Sequence, residues 1–125
     1  MNTEPALALL ERHCAAWNAH DIDALMALVS DDCVFDASAG PAPHGARHAG
    51  RAAVREAFMA VWRSFPDAQW TDCRHSVAGD RGFSEWTFRG TRSDGVRVEV
   101  RGLDVLGLRD GRITRKDTFR KNIPS

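Results

Sequence analysis

The chain has 125 residues, of which 43% are hydrophobic and 27% charged, and its 17 basic and 17 acidic side chains give a net charge of zero. This length suits one domain with one hydrophobic core, and the charge balance argues against nucleic acid or an anionic membrane as a partner. The sequence has neither a run of about 20 apolar residues nor a signal-peptide pattern. We therefore expect a cytoplasmic protein with a single domain over residues 1–125.

The hydrophobic pattern of the N-terminal half predicts three helices. Residues 4–19 form the first helix, with His13 beside its apolar stripe. Asp21 is a suitable N-cap for a short second helix. Gly50 precedes a third helix that Pro66 ends.

The remaining segments read as strands, starting with a short one at 33–37 that leads into a loop over 38–50. Helices followed by antiparallel strands are typical of an α+β fold. We expect N-terminal helices packed on a strongly curved, mostly antiparallel sheet, which forms a cone with a pocket between helices and sheet. The longer strands are expected at about 68–78, 82–92, 96–108 and 112–121.

Residues that bind metals or cofactors give only weak signals. The three cysteines are odd in number and widely spaced, which fits neither a disulfide framework nor a zinc site. His44 and His48 lie in the long loop, where they are candidates to cap a ligand, but they lack the spaced carboxylate that a metal site would favour. The sequence predicts no metal and no cofactor.

Asp104 is the first candidate for a functional residue. The segment 96–108 alternates as a half-buried strand does, and Asp104 falls on its apolar face, in phase with Val100 and Leu106. A buried carboxylate must either find a partner or keep its proton.

A second carboxylate is predicted next to Asp104. The Asp-Gly pair at 110–111 indicates a two-residue hairpin turn, which would place Asp117 directly opposite Asp104, with Cβ atoms about 5 Å apart. Two carboxyls in this arrangement would have separated pKa values and could act as general acid and base. The alternative is a structural network in which a nearby cation neutralises them. The candidate cations are Arg101, Arg115 and Lys116.

Several other side chains are candidates to line the pocket. His13 is a candidate hydrogen-bond donor or proton carrier, with a buried core histidine as the alternative. Asp36 is a further candidate, although it would point outward if Phe35 points into the core. Aromatic side chains could line a pocket for a flat organic ligand, or simply form the core. These are Trp17, Phe58, Trp62 and Trp86.

Three segments, 17–32 (WNAHDIDALMALVSDD), 50–58 (GRAAVREAF) and 110–113 (DGRI), resemble the nuclear transport factor two-like family. This family includes ketosteroid isomerases, SnoaL-like polyketide cyclases and limonene-epoxide hydrolases. The resemblance covers nearly the whole chain. It implies a cystatin-like α+β roll that dimerises through the outer face of its sheet.

The resemblance also implies roles for individual residues. His13 matches the oxyanion-hole tyrosine of ketosteroid isomerases and Asp104 their oxyanion-hole aspartic acid, but the position of their proton-shuttling aspartate holds Ala37. Asp117 looks like the last-strand aspartate of the epoxide hydrolases. Their Arg-x-Asp positions hold Trp86 and Phe88, which argues against epoxide hydrolysis. SnoaL-like cyclases use one pocket aspartate as a base, a role open to Asp104 or Asp117.

Our leading hypothesis is a cofactor-independent acid–base enzyme, an isomerase, cyclase or dehydratase, that acts on a small apolar carbonyl compound. The Asp104/Asp117 pair would supply the base and the acid, and His13 a second donor. The alternative is a non-catalytic small-molecule-binding or accessory dimer. In either case we expect a homodimer through an outer face that presents Leu103 and Val105. The polar residues expected around that patch are Arg101, Thr114, Lys116 and Thr118.

Overall fold

The computed structural model describes residues 3–123. The helices are α1 (Thr3–Ala19), α2 (Ile22–Met26) and α3 (Arg51–Ser64). The strands are β1 (Val29–Asp36), β2 (Arg47–Ala49), β3 (Gln69–Ala78), β4 (Arg81–Thr91), β5 (Arg97–Arg109) and β6 (Arg112–Arg120). Across residues 3–123, no helix is long and apolar enough to cross a membrane.

The strands form one open sheet in the order β2-β1-β6-β5-β4-β3. Among the described strands, β1 and β6 run parallel, and the other neighbouring pairs are antiparallel. The predicted α+β fold is confirmed. β1 starts at Val29, before the predicted 33–37, and the predicted loop 38–50 contains the short strand β2. The loop prediction missed β2 because its three residues have no apolar alternation.

Local signals place the helix ends where the sequence predicts them. The Asp21 carboxylate accepts a hydrogen bond from the backbone N–H of Ala24 at 3.0 Å and caps α2. Gly50 precedes α3 with φ of 85°, a conformation in which an L side chain would be strained. α3 ends at Ser64, two residues before Pro66.

The inner face of the sheet packs against the helices and holds the core. Alternate residues of the strands point to this face, and they are the buried ones in β4 and β5. The helices contribute Leu9, Leu10 and Phe58, all nearly inaccessible to solvent. The strands β1, β5 and β6 close this core from the other side with Val29, Leu106 and Ile113.

The hairpin between β5 and β6 has the predicted turn but not the predicted pairing. The two central residues of the turn have φ of 52° and 76°, as a type I′ turn requires. Leu108 pairs with Ile113 beside the turn. Gly107 then pairs with Arg115, which makes Thr114 an extra, unpaired residue of β6 and hence a β-bulge.

The bulge changes the partner of Asp104. Thr118 lies opposite Asp104, whereas Asp117 lies opposite Val105 on the outer face. The predicted Asp104/Asp117 carboxyl pair is therefore wrong, because one extra residue turns the rest of β6 to the other face. Lys116, predicted on the outer face, is buried on the inner one.

The outer face carries the apolar patch that the sequence predicts. Leu103 and Val105 lie there, next to Phe119, which is 54% exposed. Lys116 and Thr118 do not flank this patch as predicted, because the bulge places both on the inner face. Dimerisation through the outer face stays a prediction.

Candidate functional site

A cavity of about 300 Å³ lies between the helices and the inner face of the sheet. Small-molecule sites in proteins are mostly apolar, with a few polar groups that fix the ligand. The cavity has this character. Its aromatic wall consists of Trp17, Phe35, Phe65, Trp70, Trp86 and Phe88. Its larger polar side chains are His48, Lys116, Thr118 and Arg120.

A larger groove of about 740 Å³ lies on the outer face. It meets the inner cavity at Ser38, Trp86 and Arg120, which line both. We place the candidate site in the inner cavity because a buried charge pair lies against its wall. Most side chains of the outer groove, such as Glu85 and Arg101, are exposed.

The charge pair joins Lys116 to Asp104. Lys116 Nζ lies 2.8 Å from Asp104 Oδ2, and the two side chains are 9% and 5% exposed. Asp104 also accepts hydrogen bonds from Trp86 Nε1 at 3.0 Å and from Thr118 Oγ1 at 2.7 Å. The Lys116 ammonium lies 5.0 Å from the centre of the Trp17 ring, a cation–π contact. All the donors to Asp104 line the cavity, and the carboxylate lies behind them.

This environment keeps Asp104 ionised. Burial alone raises the pKa of the carboxyl, but the Lys116 ammonium and the hydrogen bonds from Lys116 and Thr118 outweigh burial and hold the pKa below its usual value. The alternative in which a cation neutralises Asp104 is therefore confirmed for Lys116. The protonated oxyanion donor that the ketosteroid isomerase resemblance implies does not fit this site.

Glycine at position 102 allows Trp86 to reach Asp104. Gly102 pairs with Trp86 across β4 and β5, and a Cβ at this position would overlap the indole ring. The sequence indicates Gly102 as a site of strand bending. The close contact between Gly102 and an indole cannot be predicted from the sequence alone, because it depends on which residue pairs with Gly102 across the sheet.

His13 lies behind the cavity wall. It is 2% exposed, and its Nε2 accepts a hydrogen bond from Trp17 Nε1 at 3.1 Å. Burial, followed by the charge of Lys116, lowers the pKa of His13 to about 3, so the imidazole is neutral at physiological pH. His13 is not among the described residues that line the cavity. Its position matches the core-histidine alternative, and its contact orients Trp17.

The predicted aromatic residues divide into two groups. Trp17 and Trp86 line the cavity. Phe58 is buried in the core against Trp17, with ring centres 4.9 Å apart. Trp62 donates its indole N–H to the backbone carbonyl of Trp17 at 3.2 Å. Phe58 and Trp62 thus support the wall from behind, and their predicted role as ligand contacts is corrected.

Asp36 lies on the outer face, because its neighbour Phe35 points into the core. Its carboxylate accepts from Arg47 at 2.8 and 3.0 Å and from Arg115 at 2.9 Å. The hydrogen bonds from Arg47 are the main cause that lowers the pKa of Asp36. The predicted substrate contact is wrong, and Asp36 instead ties β1 to β2 and β6.

His48 brings an imidazole to the cavity opposite Lys116. Phe35 pairs with His48 across β1 and β2 and with Lys116 across β1 and β6, so the three side chains form one row on the inner face. Strands are about 4.8 Å apart, which puts the Cα atoms of His48 and Lys116 about 10 Å apart. The Phe35 ring stacks on the imidazole, with centres 5.8 Å apart. The sequence indicates His48 only as a loop residue that could cap a ligand.

Metal-binding groups are not assembled in the described part of the chain. Between residues 3 and 123, no three His, Cys, Asp or Glu side chains come together to hold an ion. The polar groups of the cavity are instead an imidazole, an ammonium, a hydroxyl and a guanidinium. This set can donate hydrogen bonds to oxygen atoms and accept a proton.

Solved structures share this fold. An NTF2-like protein of unknown function from Mesorhizobium loti is 32% identical, with 95% of this chain and 93% of that chain covered and a TM-score of 0.77. A proposed polyketide cyclase from Xanthomonas campestris is 25% identical, with 95% and 91% covered and a TM-score of 0.83. A protein with a ketosteroid isomerase-like fold from Catenulispora acidiphila, solved in complex with trimethylamine, is 20% identical, with 89% and 83% covered and a TM-score of 0.78.

The comparison of the sequence with family models agrees with the fold. No curated protein matches the chain. The model of the family described as the SnoaL-like domain matches residues 10–116. Because this match spans most of the sequence, the chain belongs to the SnoaL-like domain family, as its resemblance to nuclear transport factor two-like proteins predicts.

Proposed function

We propose that the protein is an acid–base enzyme that enolises a small, mostly apolar carbonyl compound in the inner cavity. The observation that carries this proposal is the ammonium of Lys116, held by Asp104 against the wall of an aromatic cavity. A buried ion pair is costly to desolvate, and apolar side chains of similar volume often replace one without loss of stability. A cavity that retains such a pair therefore suggests a use for the charge.

Lys116 is the group that would stabilise the reacting oxygen. Its ammonium has three N–H donors, and one of them is directed at Asp104. Another can donate to a substrate carbonyl. When the substrate loses an α-proton, its carbonyl oxygen becomes an enolate, which binds an ammonium more strongly than the neutral carbonyl does. Asp104 acts as a positioning residue that holds the ammonium in place.

His48 is the group that would accept the proton. It faces Lys116 across Phe35, so a flat molecule over the Phe35 ring would lie between the imidazole and the ammonium. The α C–H bond breaks, its electron pair forms the C=C bond of the enolate, and the proton passes to the imidazole. The carbonyl π electrons move to the oxygen beside Lys116.

The enolate is common to three reaction types. Protonation at another carbon gives isomerisation, attack on a second carbonyl gives cyclisation, and loss of a β-hydroxyl gives dehydration. Each type transfers protons without a change in oxidation state, so each can proceed without a redox cofactor. Similarity to a proposed polyketide cyclase that is 25% identical supports this set of reactions.

Hydrogen exchange in D₂O tests the proposal directly. The protein is incubated with 2-tetralone, 1-indanone and 4-acetylbenzamide, and NMR follows the loss of each α C–H signal. We expect the wild type to accelerate exchange above the buffer rate. His48→Gln and the double variant Lys116→Met/Asp104→Asn should each reduce the acceleration by about 100-fold or more. The double variant removes both charges and therefore leaves no unpaired buried ion.

Asp117→Asn is the matched control, because it neutralises a carboxyl of the same strand on the outer face. It should exchange substrate at the wild-type rate. If the ketones bind in the cavity but exchange no faster than in buffer, the enzymatic proposal fails and the non-catalytic binding domain is correct. Loss of exchange in Asp117→Asn would also count against the assigned site.

A further inference from the structure

We propose that the ligand of the inner cavity carries a carboxylate, which Arg120 binds. The inference rests on the proposed function only in taking the inner cavity as the substrate site. It specifies the substrate class as a flat keto acid, in which a carbonyl and a carboxylate lie at opposite ends.

Arg120 lies in the cavity wall, where no carboxylate of the described residues pairs with it. Its Nε is buried and has no hydrogen-bond acceptor within residues 3–123. Three carboxylates of the neighbouring strands already have cationic partners, since Lys116 holds Asp104 and Arg115 lies near both Asp36 and Asp117. A buried donor without an acceptor destabilises the folded protein, so this site favours a ligand that supplies one.

Within residues 3–123, the guanidinium is held by cation–π contacts and not by ion pairs. Its central carbon lies 4.8 Å from the centre of the Phe88 ring and 5.9 Å from that of the Phe65 ring. A cation–π contact forms no hydrogen bond, so it leaves the N–H groups of the guanidinium available for a carboxylate. Burial lowers the pKa of Arg120, but an arginine keeps its proton at neutral pH. Arg120 is therefore a positioned cation.

The charges around the cavity leave one positive charge uncompensated. Lys116 is balanced by Asp104, while among the described cavity-lining residues there is no carboxylate to balance Arg120. Arg120 also stands where the cavity meets the outer groove. That groove has Arg74, Arg101, Arg120 and Lys121 against Asp72 and Glu85. An excess of positive charge on this side would attract an anion towards the cavity.

The spacing along β6 sets the size of the ligand. Lys116, Thr118 and Arg120 alternate on the inner face, and the Cα atoms of Lys116 and Arg120 are about 13 Å apart. Both side chains are long and extend into the space between them. A benzene ring with a carbonyl group on one side and a carboxylate on the other is of the size that would bridge the two cations.

A pair of matched ligands tests the inference. The probes are 4-acetylbenzoate and its neutral amide, 4-acetylbenzamide, titrated into ¹⁵N-labelled protein. The indole N–H signals of Trp17, Trp70 and Trp86 report on the cavity, and that of Trp62 is the internal control. We expect the wild type to bind the carboxylate at least about tenfold more tightly than the amide.

Two arginine variants assign this preference to a residue. Arg120→Met should bind both probes equally, with the affinity for the amide unchanged within about threefold. Arg112→Met removes an exposed positive charge from the first residue of the same strand and should keep the preference. Equal binding of the two probes by the wild type, or a preserved preference in Arg120→Met, would overturn the inference.

The outcome also separates this inference from the proposed function. Selective binding of 4-acetylbenzoate without faster α C–H exchange would leave the Arg120 assignment standing and refute enolisation. Faster exchange of both probes, with equal affinities, would support enolisation and refute the Arg120 assignment. The exchange measurement, in D₂O, and the titration, in H₂O, use the same protein preparation, so each result applies to the same folded protein.

Discussion

Replacement of Lys116 by methionine would leave Asp104 buried without its counterion. The carboxylate would keep the hydrogen bonds from Trp86 and Thr118 but lose the ammonium 2.8 Å away. Removal of one partner of a buried ion pair costs about 3 to 5 kcal/mol. The variant should therefore unfold at a urea concentration about 2 M below that of the wild type.

The loss of stability in Lys116→Met should depend on pH in a defined direction. In the wild type the pKa of Asp104 lies below its usual value, so the stability it contributes is present above the unfolded-state pKa and is lost as the pH falls through the folded one. Without Lys116, burial dominates and the folded-state pKa rises above the unfolded one. The protonated Asp104 carboxyl is then tolerated at low pH, and stability is lost as the pH rises and the carboxyl ionises. The difference in stability between the wild type and Lys116→Met should therefore be smaller at pH 5 than at pH 7.

Urea unfolding monitored by tryptophan fluorescence at both pH values is the assay. Lys116→Met/Asp104→Asn should be more stable than Lys116→Met at pH 7, because it contains no unpaired buried charge. Arg92→Met, which breaks the exposed Arg92–Asp94 pair, is the control and should unfold near the wild-type midpoint. A loss below about 1 kcal/mol in Lys116→Met, or a deficit that grows on acidification, would refute the buried-pair assignment.

Two further predictions concern the residues around this pair. His13 has a pKa of about 3 in the folded protein against an ordinary 6.5, so the stability of its neutral form is present above pH 6.5 and lost as the pH falls towards 3. Urea titrations at several pH values should show about 2 kcal/mol of this loss between pH 7 and 5, and His13→Gln should remove it; an unchanged slope would contradict the assignment. Gly102→Ala should displace the Trp86 indole from Asp104 and cost about 1 to 3 kcal/mol, measured by thermal unfolding and by the indole ¹⁵N signal, which an ordinary packing defect elsewhere would leave in place.

The parts of the fold that depend on local chemistry can be predicted from the sequence. Asp21 caps α2 because its own carboxylate accepts from a nearby N–H. The turn at 110–111 forms because aspartate and glycine tolerate positive φ. The burial of Asp104 follows from strand alternation alone. Each of these depends on residues within a few positions of one another.

The contents of the cavity depend on contacts between distant segments. The bulge at Thr114 is not encoded in the turn sequence, and it alone decides whether Asp117 or Lys116 joins Asp104. His48 reaches the cavity because β2 pairs with β1, although three residues carry too little pattern to predict that pairing. The Arg120 guanidinium lies against Phe88, 32 positions before it in the sequence, which no local pattern indicates.

The bulge also means that the chemistry of the cavity is separable from its shape. Lys116, Thr118 and Arg120 face inward because Thr114 is left unpaired as a bulge. A regular ladder in which Thr114 paired with Gly107 would keep the turn and the strand but exchange the cationic row for Arg115, Asp117 and Phe119. Substitutions that abolish the bulge without shortening the strand could thus convert an anion-binding cavity into one with an acidic group and an extra aromatic ring. Related proteins could acquire different substrates in this way without any change to the helices that enclose the cavity.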